Sequence, residues 1–188
     1  VLAARPDVTV RRLHKPNPDS WVDSSRQIHD GFWKRSRGQA DWVVVTHIDE
    51  HIHHPDMRDY LARQQARGVT AVAALGYQMI SDDFPAPGAV LWRDHPHGAP
   101  WRMMSKYGLF RPDLIEETHY APGRHKAAPT GRVVYPDTDE VTNLHYKYLG
   151  VARTHDRMTA QNERLGEGDR AQGWGDQYAW TREQLGEA

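Results

Sequence analysis

The chain has 188 residues, of which 38% are hydrophobic and 26% are charged, and its formal net charge is −1. This length suits one globular domain, and the seven Trp and eight Tyr exclude a disordered, collagen-like or coiled-coil chain. The balanced charge argues against a nucleic-acid partner. No apolar run approaches the roughly 18 residues that a membrane-spanning helix needs, so we expect no transmembrane segment.

Strands and helices alternate in the first half of the chain. The predicted elements are a strand over 8–13, a helix over 23–37, a strand over 42–46, a helix over 57–67 and a strand over 69–75 that continues toward 80. The strand at 42–46 is continuously apolar and β-branched, so we expect both of its faces to be buried. Helical crossovers of this length join parallel strands, so the order predicts an α/β fold with a mostly parallel sheet.

The alternation ends beyond Ser81. Residues 82–100 are rich in Pro, Gly and His and are predicted to form a long loop over a functional region. Further strands are predicted over 103–110, 131–135 and 143–149, and further helices over 151–165 and 176–185. The sequence shows no internal repeat and no domain boundary.

The chain contains no cysteine, which excludes a disulfide framework and any Cys-ligated zinc or iron–sulfur site. Secreted domains of this size often carry disulfides, so we expect a cytoplasmic location, with peripheral attachment to the inner face of the membrane as a variant of it. The sequence starts at Val1 without an initiator Met or a secretory signal. We therefore expect a fragment of a longer protein.

A cluster of His and acidic residues follows the strand at 42–46. The nine residues 46–54 contain one Asp, one Glu and four His. His47 and Asp49 are two positions apart, so in an extended chain they point to the same side and can share one ion. A carboxylate with an imidazole suits Mn²⁺ or Mg²⁺, and Zn²⁺ is a further option. The alternative is a solvated polar loop that happens to be rich in His.

Several stretches of the chain together carry a resemblance to a known family. The first is Trp33 to Trp42 (WKRSRGQADW), which leads through the predicted strand into His47-Ile48-Asp49-Glu50. The later stretches are Gly76-Tyr77-Gln78-Met79, Lys106, Phe110-Arg111-Pro112, Gly123-Arg124-His125, residues 144–150 and residues 173–178. As a set they resemble the family-2-like glycosyltransferases of GT-A fold, and the similarity covers nearly the whole chain. The resemblance implies a Rossmann-like three-layer α/β sandwich with a mostly parallel central sheet.

Two features depart from the family pattern. His47 stands where the family's Asp-x-Asp-Glu motif begins with Asp, while Asp49 and Glu50 match its second acid and the acid after it. A neutral His removes one negative charge, which weakens the affinity of the site for a hard ion such as Mg²⁺. The family's earlier strands, which hold the nucleotide, have no counterpart here. We therefore expect residues 1–188 to form one partial, N-terminally truncated GT-A domain.

The resemblance implies a glycosyltransferase of the hexosyltransferase type, which moves a sugar from a nucleoside-diphosphate donor to a hydroxyl of a carbohydrate or glycan acceptor. A divalent ion would offset the charge of the departing diphosphate. The implied metal ligands are His47, Asp49, His125 and His145. The implied substrate-binding residues are Glu50, Lys106, Arg124, Trp92 and Trp101, with Lys147 as a further candidate for phosphate. The candidates for the base that activates the acceptor hydroxyl are Asp82, Asp83, Glu116 and Glu117.

Two other functions compete with this one. The chain is alternatively a non-catalytic remnant or carbohydrate-binding domain of the same fold, which the His47 substitution and the missing nucleotide half favour. It is alternatively a metal-dependent hydrolase, because His51 and His53 after a strand are similar to the His-x-His of amidohydrolase barrels. Such barrels need about 250 residues, so the chain is short for that fold.

Overall fold

The computed structural model describes residues 4–12 and 14–187. Within these ranges the helices are α1 (Trp21–Phe32), α2 (Met57–Ala66), α3 (Leu91–Asp94), α4 (Val151–Asn162), α5 (Glu167–Ala171) and α6 (Arg182–Glu187). The strands are β1 (Val43–Val44), β2 (Glu50–His53), β3 (Ala71–Ala73), β4 (Leu75–Ser81), β5 (Gly98–Pro100), β6 (Tyr107–Phe110) and β7 (Thr142–Leu149). Short 3₁₀ turns lie at Trp33–Ser36, Arg102–Met104, Pro122–Arg124 and Asp176–Ala179.

The described strands form two sheets, so the α/β class is confirmed. One sheet is antiparallel with the order β1-β6-β3, and the other is mixed with the order β2-β7-β4-β5. Only β4 with β7 is parallel among the five pairings in the described residues. The mostly parallel central sheet that we expected is therefore not what these residues form.

The position of β6 explains this correction. Strands β1 and β3 are each antiparallel to β6, which lies between them, so β1 and β3 run in the same direction. The helical crossover through α2 thus joins strands of equal direction, as predicted, but a later strand separates them. The alternation of strands and helices indicates the relative direction of two strands, but it carries no information on which strand lies between them.

The strand predicted over 42–46 is shorter and more exposed than expected. Only Val43–Val44 form β1, and the Val44 side chain is 49% exposed although Val45 is buried. The run predicted over 69–80 divides into β3 and β4, which belong to different sheets. In the stretch 42–46 only some of the apolar residues are buried, so the prediction of a strand with both faces buried was wrong.

Other boundaries differ in smaller ways. The loop predicted over 82–100 contains α3 and β5, and the strand predicted over 103–110 is reduced to β6 after a 3₁₀ turn. The strand predicted over 131–135 is absent from the described residues, where Gly131 makes one isolated bridge to Ile115. Residues 8–12 have no regular structure, and Leu13, the last residue of the strand predicted there, lies outside the described residues.

Helix α1 begins earlier than predicted because a distant carboxylate completes its N-terminal cap. The Ser20 hydroxyl accepts a hydrogen bond from the Asp23 amide at 2.9 Å and donates one to Asp169 of α5 at 2.5 Å. Asp169 also accepts the Trp21 amide at 2.8 Å and the Val22 amide at 3.2 Å. The otherwise unpaired N–H groups of the first turn are thereby satisfied by a residue from the other end of the chain.

The core lies on both faces of β6. Phe110 packs edge-on against Trp33 with ring centroids 5.0 Å apart, and Leu109 packs with Tyr60 and Val72 on the opposite face. A separate cluster under α3 joins the middle of the mixed sheet and contains Met79, Tyr146 and Leu149. None of the described helices is long and apolar enough to cross a membrane.

Candidate functional site

A row of polar residues crosses the middle of the mixed sheet. His145 of β7 is paired with Glu50 of β2 on one side and with Gln78 of β4 on the other. Residues directly opposite in adjacent strands project from the same face. The ladder between β4 and β7 loses its regular register just after Gln78. Three hydrogen-bonding side chains therefore share one face at an irregular point of the sheet.

Glu50 is the centre of a buried ion cluster. Its carboxylate accepts a hydrogen bond from Lys106 Nζ at 2.7 Å and a short one from Arg124 Nη2, and all three side chains are buried. His47 Nδ1 lies 3.2 Å from Glu50 Oε1, so the His47 ring is turned toward this carboxylate. Lys106 directly precedes β6, so the cluster joins the two sheets.

The two cations of the cluster hold Glu50 in its ionised form. Burial opposes ionisation of Glu50, but the hydrogen bond from His47 and the charges of Arg124 and Lys106 outweigh it and hold the pKa of Glu50 well below its usual range. Burial lowers the pKa of Lys106, and the charge of Glu50 offsets part of this change. Glu50, Lys106 and Arg124, which the resemblance assigned to substrate, thus contact one another in this structure.

The turn that carries Arg124 has an unusual backbone. Gly123 has φ +66° and Arg124 has φ +58°, a conformation that side-chain-bearing residues rarely adopt. Arg124 Nη1 donates to Val45 O at 2.7 Å, which ties this turn to the end of β1. The next residue, His125, contacts Met103 O through Nδ1 at 2.8 Å, and burial lowers the pKa of the His125 ring.

Asp49 has a different environment although it directly precedes Glu50. Its carbonyl accepts the Tyr146 amide at 2.7 Å, which fixes the turn against β7. Its carboxylate Oδ2 lies 3.3 Å from Arg157 Nη1 and 3.8 Å from His145 Nε2, and its side chain is 21% exposed. Burial lowers the pKa of His145 to about 4, so this ring is neutral at pH 7.

Lys147 and Arg157 add positive charge around Asp49. Burial and the nearby Arg157 lower the pKa of Lys147 to about 8. Lys147 Nζ lies 5.1 Å from the ring centroid of Tyr178 and 5.3 Å from that of Tyr148. A cavity of about 500 Å³ along α4 is lined by Arg157 together with Ala152, Arg153 and Asp156. Two arginines and one aspartate line this cavity, and Arg157 also contacts Asp49, so the charge at this end of the site favours an anionic ligand.

The two predicted sugar-stacking residues lie on different sides of the sheet. The Trp101 ring is 6.3 Å from the His145 ring and 38% exposed. The Trp92 ring instead packs 5.4 Å from His53. Because alternate residues of β2 face opposite sides, His53 projects away from the face that carries Glu50. Trp101 is therefore beside the polar row, and Trp92 is on the far face.

The predicted metal ligands are not all brought together. Asp49 and His145 face each other, whereas His47 contacts Glu50 and His125 contacts Met103 O. In residues 4–12 and 14–187, no group of three or more His, Asp or Glu side chains is placed to hold a metal ion. The metal site stays a prediction, and its protein ligands reduce to Asp49 and His145.

The four candidate bases do not lie together in one place in the structure. Asp82 and Asp83 are exposed after β4, and Ser81 O accepts the Gly150 amide at 2.8 Å, which places this segment at the start of α4. Glu117 is held by Lys34 Nζ at 2.5 and 2.7 Å. Glu116 is exposed. The role of each of these carboxylates stays a prediction.

Two residues of this region were not predicted. Gln78 lies within a stretch that carries the family resemblance, but its type alone indicates no function. Arg157 lies in a helix that was predicted correctly, and its contact with Asp49 comes from the packing of α4 beside β7. An alternating charge pattern on a helix is usually a solvated face, so the sequence gives no signal for this contact.

Comparisons with known proteins add no relative. No protein-family model matches the chain, and searches of curated proteins and of solved structures found no match.

Proposed function

We propose that the chain is the catalytic part of a glycosyltransferase that moves a sugar from a nucleoside-diphosphate donor to a carbohydrate hydroxyl with the help of a divalent metal ion. The observation that carries the proposal is the facing pair of Asp49 and His145, 3.8 Å apart, beside the cations Lys147 and Arg157. A GT-A fold and a cytoplasmic location belong to the same proposal.

The residues present fit a divalent ion that is shared with a diphosphate. Asp49 supplies a carboxylate oxygen and His145 a neutral imidazole nitrogen. A cation such as Mg²⁺ typically takes one or two protein ligands and completes its coordination with phosphate oxygens and water. When bound, the ion supplies charge stabilisation for the leaving diphosphate.

The surrounding side chains bind and orient the donor in this proposal. Lys147 and Arg157 attract the diphosphate oxygens, and the planar guanidinium of Arg157 suits two-point contact with phosphate. Trp101 offers an exposed aromatic face beside His145, on which a sugar ring can stack. The buried Glu50 cluster holds the Asp49 turn in place and does not itself contact the donor.

The base for the acceptor hydroxyl stays open between two pairs of carboxylates. We favour Asp82 and Asp83 because the backbone next to them is bonded to the start of α4, the helix that carries Arg157. Glu117 is already engaged by Lys34, so abstraction of a proton there would first require that ion pair to open.

Titration calorimetry with Mn²⁺, in the presence and absence of UDP, tests the proposal. We expect Mn²⁺ to bind, UDP to strengthen this binding, and Asp49→Asn to lose both effects. Asp59→Asn, an exposed carboxylate on α2, is the matched control and should change neither. A panel of UDP-sugars with carbohydrate acceptors then measures transfer.

Each outcome has a definite meaning. Binding of Mn²⁺ and UDP without transfer favours the non-catalytic binding domain. Folded protein that binds neither Mn²⁺ nor UDP overturns the proposal. The hydrolase alternative is disfavoured by position, because His51 packs against Tyr146 at 5.1 Å and His53 against Trp92.

A further inference from the structure

The side-chain amide of Gln78 has a fixed orientation. Its Nε2 donates to Met79 O at 3.0 Å and to His145 O at 2.9 Å. Carbonyl oxygens only accept hydrogen bonds, so the NH₂ end of the amide must lie on this side. The Oε1 end is then left facing the His145 ring, where it lies 2.7 Å from Nδ1.

This orientation determines which ring nitrogen of His145 carries the proton. Gln78 Oε1 is an acceptor, so His145 Nδ1 must donate to it, and in the neutral ring Nε2 is then unprotonated. Nε2 is the nitrogen that lies 3.8 Å from Asp49 Oδ2. A lone pair and a carboxylate oxygen therefore face each other, an arrangement that a cation between them would stabilise.

We propose that Gln78 is a positioning residue, which holds His145 in the tautomer whose bare Nε2 faces Asp49 and so prepares this pair to bind a divalent cation. The inference rests on the proposed function only in the identity of the ligand, since the tautomer is a property of the protein alone. Partners that fix the second nitrogen of a metal-binding imidazole are a general requirement of such sites.

The sheet supplies the precision that this role needs. Gln78 and His145 are directly opposite in the parallel pairing of β4 with β7, so their spacing is set by backbone hydrogen bonds. Gln78 touches His145 twice, through the ring and through the backbone carbonyl. A side chain without an acceptor could not bind the ring nitrogen of His145, and a side chain without donors could not bind its backbone carbonyl.

Nitrogen-15 NMR of the imidazole rings in the metal-free protein at pH 7.5 tests the tautomer directly, with the His145 signals assigned by their loss in His145→Asn. We expect the Nδ1–H form in the unchanged protein. In Gln78→Leu we expect a large population of the Nε2–H form, because that proton can then be donated to Asp49. Gln78→Glu keeps an acceptor for Nδ1–H and should keep the original form.

Calorimetry with Mn²⁺ alone gives a second readout. Loss of such a supporting contact weakens metal affinity by about tenfold or more, so we expect that loss in Gln78→Leu and a smaller change in Gln78→Glu. Gln65→Leu is the matched control, since it removes one side-chain hydrogen bond, from Trp42, on α2. It should change neither the tautomer nor the affinity.

The two proposals fail in different ways. An Nε2–H form in the unchanged protein, or an unaltered tautomer in Gln78→Leu, overturns the role of Gln78 whatever the protein binds. If Gln78→Leu does not fold, an Nε2–H form in the unchanged protein or in Gln78→Glu still overturns the role of Gln78. The expected tautomers and Mn²⁺ affinities without any effect of UDP would support Gln78 and count against glycosyl transfer.

Discussion

Asp49 and Glu50 are neighbours in the chain, yet their carboxylates occupy opposite environments. The Glu50 side chain is 1% exposed and is bound by two buried cations, whereas the Asp49 side chain is 21% exposed and has one longer contact with an arginine. Both carboxylate oxygens of Glu50 are bound by buried cations, and the cluster joins the two sheets. Arg157, the cation that contacts Asp49, is itself partly exposed and also lines a cavity along α4.

The difference separates two uses of an acidic residue. A carboxylate whose oxygens are filled by fixed donors stabilises the protein and has little capacity left for a ligand. A carboxylate that faces a neutral imidazole and a partly exposed arginine can exchange its contacts for a metal ion. The same short motif therefore contains a structural acid and a candidate binding acid, and substitution of each acid should change a different property of the protein.

The largest effect is expected for Glu50→Gln. The substitution leaves Lys106 and Arg124 buried without a counter-charge, and breaking a buried ion pair in this way costs about 3–5 kcal/mol. Urea denaturation followed by circular dichroism measures the free energy of unfolding, with Glu163→Gln, an exposed residue after α4, as the control. A cost below about 1 kcal/mol would mean that water reaches the cluster and that Glu50 is not structural.

The same residue should dominate the acid sensitivity of the protein. The pKa of Glu50 is held below its ordinary value of 4.5, so its stabilising contribution is present above about pH 4.5 and is lost as the pH falls further. Between pH 6 and pH 3, the free energy of unfolding should fall more steeply with decreasing pH in the unchanged protein than in Glu50→Gln. Parallel pH profiles for the two proteins would contradict this assignment.

Asp169 is a buried carboxylate that has no cationic partner within the part of the chain that the structure describes. Asp169→Asn weakens its contacts with Ser20 and with the Trp21 and Val22 amides, and we expect a loss of about 1–3 kcal/mol in the free energy of unfolding. The same denaturation experiment measures it. If the loss is smaller than for Glu50→Gln, the difference measures the cost of leaving two cations unpaired. If the two losses are equal, the lost hydrogen bonds of a buried carboxylate account for the whole effect in both variants.

In contrast to Glu50→Gln, Asp49→Asn should affect metal binding and leave stability almost unchanged. Its contact with Arg157 is partly exposed, and such pairs contribute at most about 1 kcal/mol, so the free energy of unfolding should barely change while Mn²⁺ binding is lost. Denaturation and calorimetry on the same preparation test both parts. If Asp49→Asn unfolds as readily as Glu50→Gln, the two acids belong to one structural cluster.

Part of this arrangement follows from local sequence signals. Helices α1, α2 and α4 and the strand β7 were predicted because apolar periodicity, β-branched runs and helix-ending glycines are read from neighbouring residues. The position of β6 between β1 and β3 was not predicted, because strand order depends on contacts between distant segments. The α/β class was therefore predictable, and the sheet topology was not.

The different environments of Asp49 and Glu50 could not be predicted from the sequence for the same reason. Both acids match the motif, and their roles are decided by Lys106, Arg124 and Arg157, which come from later parts of the chain. The sequence predicts the region and the chemistry of its donors. Only the packing of β6, the Gly123 turn and α4 around the motif assigns two cations to one acid and leaves the other accessible.

The smallest effect, and the sharpest test of accessibility at Asp49, is expected for Arg157→Gln. The guanidinium competes with a metal ion for the Asp49 carboxylate, and removing an ion pair worth up to about 1 kcal/mol should raise the affinity for Mn²⁺ alone by up to about fivefold. The affinity for UDP in the presence of Mn²⁺ should fall, because a phosphate-binding group is lost. Arg164→Gln, an exposed residue after α4, is the control for calorimetry. Opposite changes in the two affinities require that Arg157 exchanges one anionic partner for another, whereas a parallel fall in both would make it a fixed support of Asp49, as Lys106 is of Glu50.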